Sequence, residues 1–251
     1  MNDHELAAGL AARAGDLLLT VRTELADAAA SERKDAGDKR SHDFLMAELA
    51  RLRSGDAVLS EEGADDPARL TSDRVWIVDP LDGTREFSEP GRDDWAVHVA
   101  LVEDGRLVVG AVALPARGTV LSTTSPPTRP EPGDGPPRII VSRSRPPAFV
   151  ARLAEAMGAE TVPLGSAGAK MAAVVLGDAD VYVHGGGQYE WDSAAPVAVA
   201  RAAGLHTSRL NGSEIVYNQP DPWLPDLVVC RPDLADRVLT ELARLENLQE
   251  A

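Results

Sequence analysis

Val75-Trp76-Ile77-Val78-Asp79-Pro80-Leu81-Asp82-Gly83-Thr84 passes from four apolar residues into two acids set three positions apart. The apolar run predicts a short buried strand with Asp79 at its exposed end. Pro80 carries no backbone N–H, so the ladder is expected to stop there and the chain to turn. Asp82 follows where an acidic side chain would cap a helix. Carboxylates at a strand end and a helix start can face one point. A hard cation such as Mg2+ takes oxygen ligands, commonly one or two carboxylates with phosphate and water. The amides of Gly83 and Thr84 would open the helix, a natural cradle for a phosphate, and Gly83 lets the backbone approach closely. Taken alone, the same run also reads as an ordinary acidic turn.

Upstream, residues 57–60 form a short strand pattern that ends in Glu61-Glu62-Gly63. Residues 3–25 place Leu6, Leu10, Ala14, Leu17, Leu18, Val21 and Leu25 at helical spacing. The polar stretch 29–40 reads as a loop. A second helix is predicted over 39–53, with Phe44, Leu45, Leu49 and Leu52 inward. Downstream, 96–102, 107–114 and 119–123 read as strands with turns at Gly105 and Gly118. The first half is therefore expected to be a sheet with two helices on one side.

Residues 125–137 are rich in proline and glycine, which disfavours helix and central strand alike. They are the expected boundary between an α+β half, 1–130, and an α/β half, 131–251. The second half alternates strands at 138–142, 161–164, 181–184 and 227–230 with helices at 147–157, 167–176, 193–203 and 234–245.

Composition narrows the function. The 251 residues carry a formal net charge of -15, which argues against a broad surface for nucleic acid polymers or anionic membranes. The single cysteine excludes an intrachain disulfide, and the five His show no ligand-like spacing for zinc. No apolar run approaches the roughly 20 residues that a membrane helix requires. The N-terminus lacks the charged start and apolar core of a signal peptide, so a cytoplasmic location is expected.

A third acidic motif, Glu190-Trp191-Asp192-Ser193-Ala194-Ala195, opens a predicted helix. The order Leu-Ser-Glu-Glu (59–62), Trp-Ile-Val-Asp-Pro-Leu-Asp-Gly-Thr-Arg-Glu-Phe (76–87), then Trp-Asp-Ser-Ala-Ala (191–195) resembles the inositol-monophosphatase-like phosphatases, and within them the CysQ branch. The branch-level hints are Gly83 to Phe87 and Val141-Ser142-Arg143-Ser144. The resemblance spans most of the chain, from Asp38 to the region after Tyr217. It implies a layered αβαβα sandwich of the inositol-monophosphatase/fructose-bisphosphatase type.

The resemblance also implies two or three Mg2+ ions. Glu61, Asp79 and the Leu81 carbonyl would hold one, and Asp79, Asp82 and Asp192 another. Thr84 would pair with Asp38 to activate the attacking water, with Glu61 nearby as a further catalytic carboxylate. This chain has lost most of the Thr-containing loop that precedes the family's Asp at that point. Substrate contacts would come from Asp82, Gly83, Thr84, Ser142, Arg143, Ser144, Gly165, Ser166, Lys170 and Asp192. The branch usually carries His where this chain has Arg145. Trp191 is either core or a wall of a base pocket.

The expected reaction is hydrolysis of the 3'-phosphate of adenosine 3',5'-bisphosphate, or its sulfated relative, by in-line attack of water and without a covalent intermediate. Inhibition by Li+ is implied, and a homodimer is admitted. Two phosphatase alternatives stay open: the same fold acting on inositol monophosphate or fructose 1,6-bisphosphate, and a haloacid-dehalogenase-type enzyme with an aspartyl nucleophile. The acids here are three apart rather than the two of that type's Asp-x-Asp run. A non-catalytic nucleotide- or metal-sensing module is the remaining alternative.

Overall fold

A nine-residue strand, not a four-residue one, carries the acidic stretch. The computed structural model describes residues 1–128, 133 and 135–247, the last two by backbone only. Helix α1 (Asp3–Glu24) and helix α2 (Ala30–Leu52) lead into β1 (Ala57–Ser60), β2 (Arg74–Asp82), the short α3 (Thr84–Ser88), β3 (Ala96–Glu103), β4 (Arg106–Leu114) and β5 (Thr119–Ser122). The five strands form one sheet in chain order. β1 and β2 run parallel, and the remaining pairs are antiparallel.

The loop expected over 29–40 is helix. Its inward positions Arg33, Gly37, Ser41, Leu45 and Leu49 recur every four residues, but the first three are not apolar, so the hydrophobic signal is missing from that end. Arg33 is buried because its guanidinium donates to the carbonyls of Leu25 and Ala26, satisfying the frayed end of α1. Gly37 lets α2 lie against α3. A Cβ there would meet the Phe87 ring at 2.7 Å and Leu81 at 2.9 Å.

Pro80 does not end β2. The pairing with β3 runs Asp79 to His98 and then Asp82 to Ala96, so β2 holds one extra residue between the two acids. Residues three apart on a regular strand face opposite sides, and the bulge turns both carboxylates to the same side. Ser41 in α2 donates to the Pro80 carbonyl at 2.7 Å and fixes the bulge. Nor does Asp82 cap α3. That position belongs to Gly83, whose φ of 82° is left-handed and suits glycine. α3 is only five residues long.

The second half comprises β6 (Arg138–Ser142), α4 (Ala148–Met157), β7 (Glu160–Leu164), α5 (Ala167–Leu176), β8 (Val181–His184), β9 (Gln188–Tyr189), α6 (Glu190–Ala202), β10 (His206–Ser208), β11 (Trp223–Leu224), β12 (Leu227–Cys230) and α7 (Ala235–Asn247). Its main sheet has the order β10-β12-β8-β6-β7, and β9 and β11 make a two-stranded ribbon. α6 starts three residues earlier than the periodicity suggested, so Asp192 lies inside its first turn. The boundary expected between 130 and 131 lies outside the described residues.

Three apolar cores define five layers, αβαβα. α1 and α2 cover one face of the first sheet. α5 and α6 fill the space between the two sheets, and their side chains belong to one cluster with both. α4 and α7 cover the far face of the second sheet. Near α3, Phe87 meets Trp95 edge to face at 5.1 Å, a contact worth about 0.5–1.5 kcal/mol beyond burial. Among the described residues, no helix is long and apolar enough to cross a membrane.

Candidate active site

Four acids from three stretches of the chain converge. Ser60 pairs with Val78, so Glu61, one residue on, comes beside Asp79. The bulge brings Asp82 to the same side. Asp192, at the start of α6, enters from the central layer, its Oδ2 accepting the Tyr189 amide at 2.7 Å. Ligand atoms of Asp79, Asp82 and Asp192 all lie within 4.8 Å of one another.

The electrostatics are those of a crowded anionic pocket. Asp79 is fully buried, and Oδ1 accepts the Leu81 amide at 3.0 Å. Its Oδ2 has no hydrogen-bond partner among the described residues, and His98 Nδ1 stands 4.0 Å away. The Glu61 carboxyl alongside can share a hydrogen bond with Asp79 only if one of the two holds a proton. Burial, then the charges of Glu61, Asp82 and Asp192, push Asp79 well above the carboxylate range. Burial and the Asp192 charge raise Glu61 to about 7. The residue is exposed as a whole, but its carboxylate turns into the pocket. Burial and Asp82 raise Asp192 to about 6.

Asp82 behaves oppositely. Burial alone would raise it, but His98, Ser166 and the Gly168 amide draw it down to about 2. Its Oδ2 accepts Ser166 Oγ and the Gly168 amide, both at 2.5 Å, and Oδ1 accepts the Ala167 amide at 3.0 Å. The start of α5 is thus satisfied by Asp82, which ties the first sheet to the central layer. Ser166, Gly168 and His98 crowd Oδ2, so the free lone pair that can face a cation is on Oδ1, which takes the Ala167 amide alone.

These observations fit a divalent metal. An orphaned buried carboxylate oxygen and three acids that repel one another into protonation are what a hard cation relieves. Among the described residues, three carboxylates are placed to hold a metal ion.

Asp38 leans from α2 toward this cluster. Thr84 Oγ1 lies 3.4 Å from Asp38 Oδ1 and 3.2 Å from the Leu81 carbonyl, and its one proton can serve either. Burial, with the Glu62 charge, raises Asp38 to about 7.

A cleft of about 390 Å³ opens from Asp82 and Asp192, between the end of β6 and the loop after β8. Of the residues expected to touch substrate, Ser142, Ser144, Ser166 and Lys170 line it. Lys170 is buried with Nζ donating to the carbonyls of Gly165 and Ser166, which leaves one of its three N–H groups for a ligand. Arg143 is not brought there. Its guanidinium pairs with Glu86 at 2.8 Å and with Glu89, and Arg145 lines the cleft instead. Gly165 stands behind the wall, its amide donating to Asp94 at 2.6 Å. Trp191 is partly buried against the core and stacks on Tyr189 at 4.7 Å; Trp223 closes on Tyr189 edge to face. Tyr182, His184, Gln188 and the glycines 185–187 also line it and were not anticipated. The run of three glycines after a strand was the one available signal.

The model of the inositol monophosphatase family matches residues 3–127 and 138–246. The 3'-phosphoadenosine 5'-phosphate phosphatase of Mycobacterium leprae is 51% identical over 251 residues, spanning 95% of this chain and 93% of that protein. The 3'(2'),5'-bisphosphate nucleotidase CysQ of Escherichia coli is 30% identical over 234 residues, spanning 86% and 94%. Among solved structures, CysQ from Bacteroides thetaiotaomicron, a bacterial member of that family, superposes with a TM-score of 0.76 at 26% identity, covering 91% of this chain and 97% of the other.

Proposed function

Because the chain belongs to the inositol monophosphatase family, we propose that it is a Mg2+-dependent phosphatase that removes the 3'-phosphate of adenosine 3',5'-bisphosphate and of 3'-phosphoadenylyl sulfate. The observation that carries the reaction class is the buried, donor-poor Asp79 carboxylate, packed with Asp82 and Asp192. The name and 51% identity of the mycobacterial relative support the substrate. A cleft of about 390 Å³ beside the acids, with Lys170 and Arg145 on its wall, supports a ligand with a second anionic group and a base.

Glu61, Asp79, Asp82, Asp192 and the Leu81 carbonyl would hold the two or three Mg2+ ions. When bound, Mg2+ neutralises phosphate charge and makes a water nucleophilic at neutral pH. Thr84 orients the attacking water, and Asp38, poised near neutrality, takes its proton. No side chain is required as a nucleophile. Ser142, Ser144, Ser166 and Lys170 bind the part of the substrate that does not react. Arg145 replaces Arg143 in that set.

The test is phosphate release from adenosine 3',5'-bisphosphate, 3'-phosphoadenylyl sulfate, inositol monophosphate and fructose 1,6-bisphosphate, with Mg2+ and with chelator. The nucleotides should give the highest kcat/KM, chelation should stop turnover and Mg2+ should restore it. Chelator-resistant hydrolysis, or preference for inositol monophosphate, would overturn the reaction or the substrate respectively.

A further inference from the structure

His98 is fully buried on β3, and none of the steps above uses it. Its ring spans two of the elements that carry the acids. Nε2 lies 3.3 Å from Asp82 Oδ2, and Nδ1 lies 3.0 Å from the Trp191 carbonyl, the residue just before Asp192. Asp79 is its direct partner across the β2–β3 ladder. On the remaining side Gly168 leaves no slack, since a Cβ there would lie 2.0 Å from Nε2. The imidazole is therefore a wedge among β2, α5 and α6.

We propose that His98 is a positioning residue that sets the spacing between Asp82 and Asp192, and through it the affinity of the acidic pocket for Mg2+. Two features of the geometry support this. Asp82 and Asp192 sit on different layers, and no hydrogen bond between their side chains fixes their separation. His98 is the side chain that touches Asp82 on one edge and the backbone that carries Asp192 on the other. Mg2+ tolerates little misplacement, because it demands near-octahedral geometry at about 2.0–2.1 Å. Groups that orient metal ligands from behind typically govern about 10–100-fold of affinity.

The inference rests on the reading that these carboxylates bind Mg2+, so wild type and variants are compared by calorimetric Mg2+ titration of the substrate-free protein. H98A should bind Mg2+ about 10–100-fold more weakly. H98Q, whose amide reaches toward Asp82, should recover most of the affinity. H98N, which reaches the Trp191 carbonyl but not Asp82, should not. Thermal melting without metal separates this from general damage, because H98Q and H98N should melt alike and differ only toward Mg2+. Wild-type affinity in H98A, or equal affinity in H98Q and H98N, would overturn the role of His98. The second comparison holds even if H98A does not fold. Absence of Mg2+ binding in the wild type would instead overturn the site reading itself.

Discussion

Asp79 is sealed from solvent, and its Oδ2 has no hydrogen-bond partner among the described residues over which to spread a charge. Without metal, the pocket relieves itself by holding protons, and that has a sign. Glu61 and Asp38 stand near 7 and Asp192 near 6, against ordinary values of 4.5, 3.8 and 3.8. The folded metal-free chain thus binds more protons than the unfolded chain between about pH 4 and 7. Stability from these groups is present below their unfolded values and is lost as pH rises through the folded ones. Asp82 works the other way, but only at the acid end, as pH falls toward 2. Melting in chelator should therefore weaken from pH 5 to pH 7.5, and saturating Mg2+ should cancel the decline. Asp79→Asn removes one titratable acid from the cluster. It should flatten the pH dependence and raise the metal-free Tm at pH 7.5, while Mg2+-dependent turnover falls by more than about 100-fold. A near-normal rate in that variant would contradict the assignment of Asp79 as a ligand.

At the level of elements, α2 shows what composition hides. Its first turns read as loop because Arg33, Gly37 and Ser41 occupy the inward positions, each for a polar or steric reason. Gly37→Val would drive a side chain into Phe87 and Leu81, and overpacking of this kind costs about 1–3 kcal/mol. The Tm should drop by several degrees, at about 2–4 °C per kcal/mol. Because α2 carries Asp38 toward Thr84, kcat should fall more than the KM for nucleotide rises. An unchanged ratio of kcat to wild type would detach α2 from the chemistry. Strands with strong apolar runs, β1, β6, β8 and β12, were legible to the residue, as was α5. The acids themselves were legible from order and motif. The bulge in β2 was not, because proline after Asp79 argued for a stop and only the pairing with β3 reveals the extra residue. His98 was invisible for another reason: a lone histidine in a strand pattern announces nothing until the fold sets Asp82 and Trp191 against its two nitrogens. Arg143 and Arg145 are adjacent enough in sequence that only three-dimensional pairing with Glu86 distinguishes their fates.

Across the whole molecule, the central layer decides how divisible the chain is. α5 and α6 come from the second half in sequence, yet α6 lies along β2, β3 and β4 of the first. A fragment of residues 1–128 would leave Ala96, Ala100, Val112 and Leu114 without their cover. Expressed alone, it should aggregate or bind ANS, whereas the intact chain should unfold by circular dichroism and fluorescence in one coincident transition. A soluble, cooperatively melting fragment would show that each sheet supports itself. The distribution of indoles adds an optical consequence. Trp76 and Trp95 are sealed beneath α1 and α2, whereas Trp191 and the exposed Trp223 flank Tyr189, next in sequence to the cleft-lining Gln188. Emission should therefore split into a blue population indifferent to ligand and a red one that acrylamide quenches and that nucleotide shields, so that occupancy can be followed without a label.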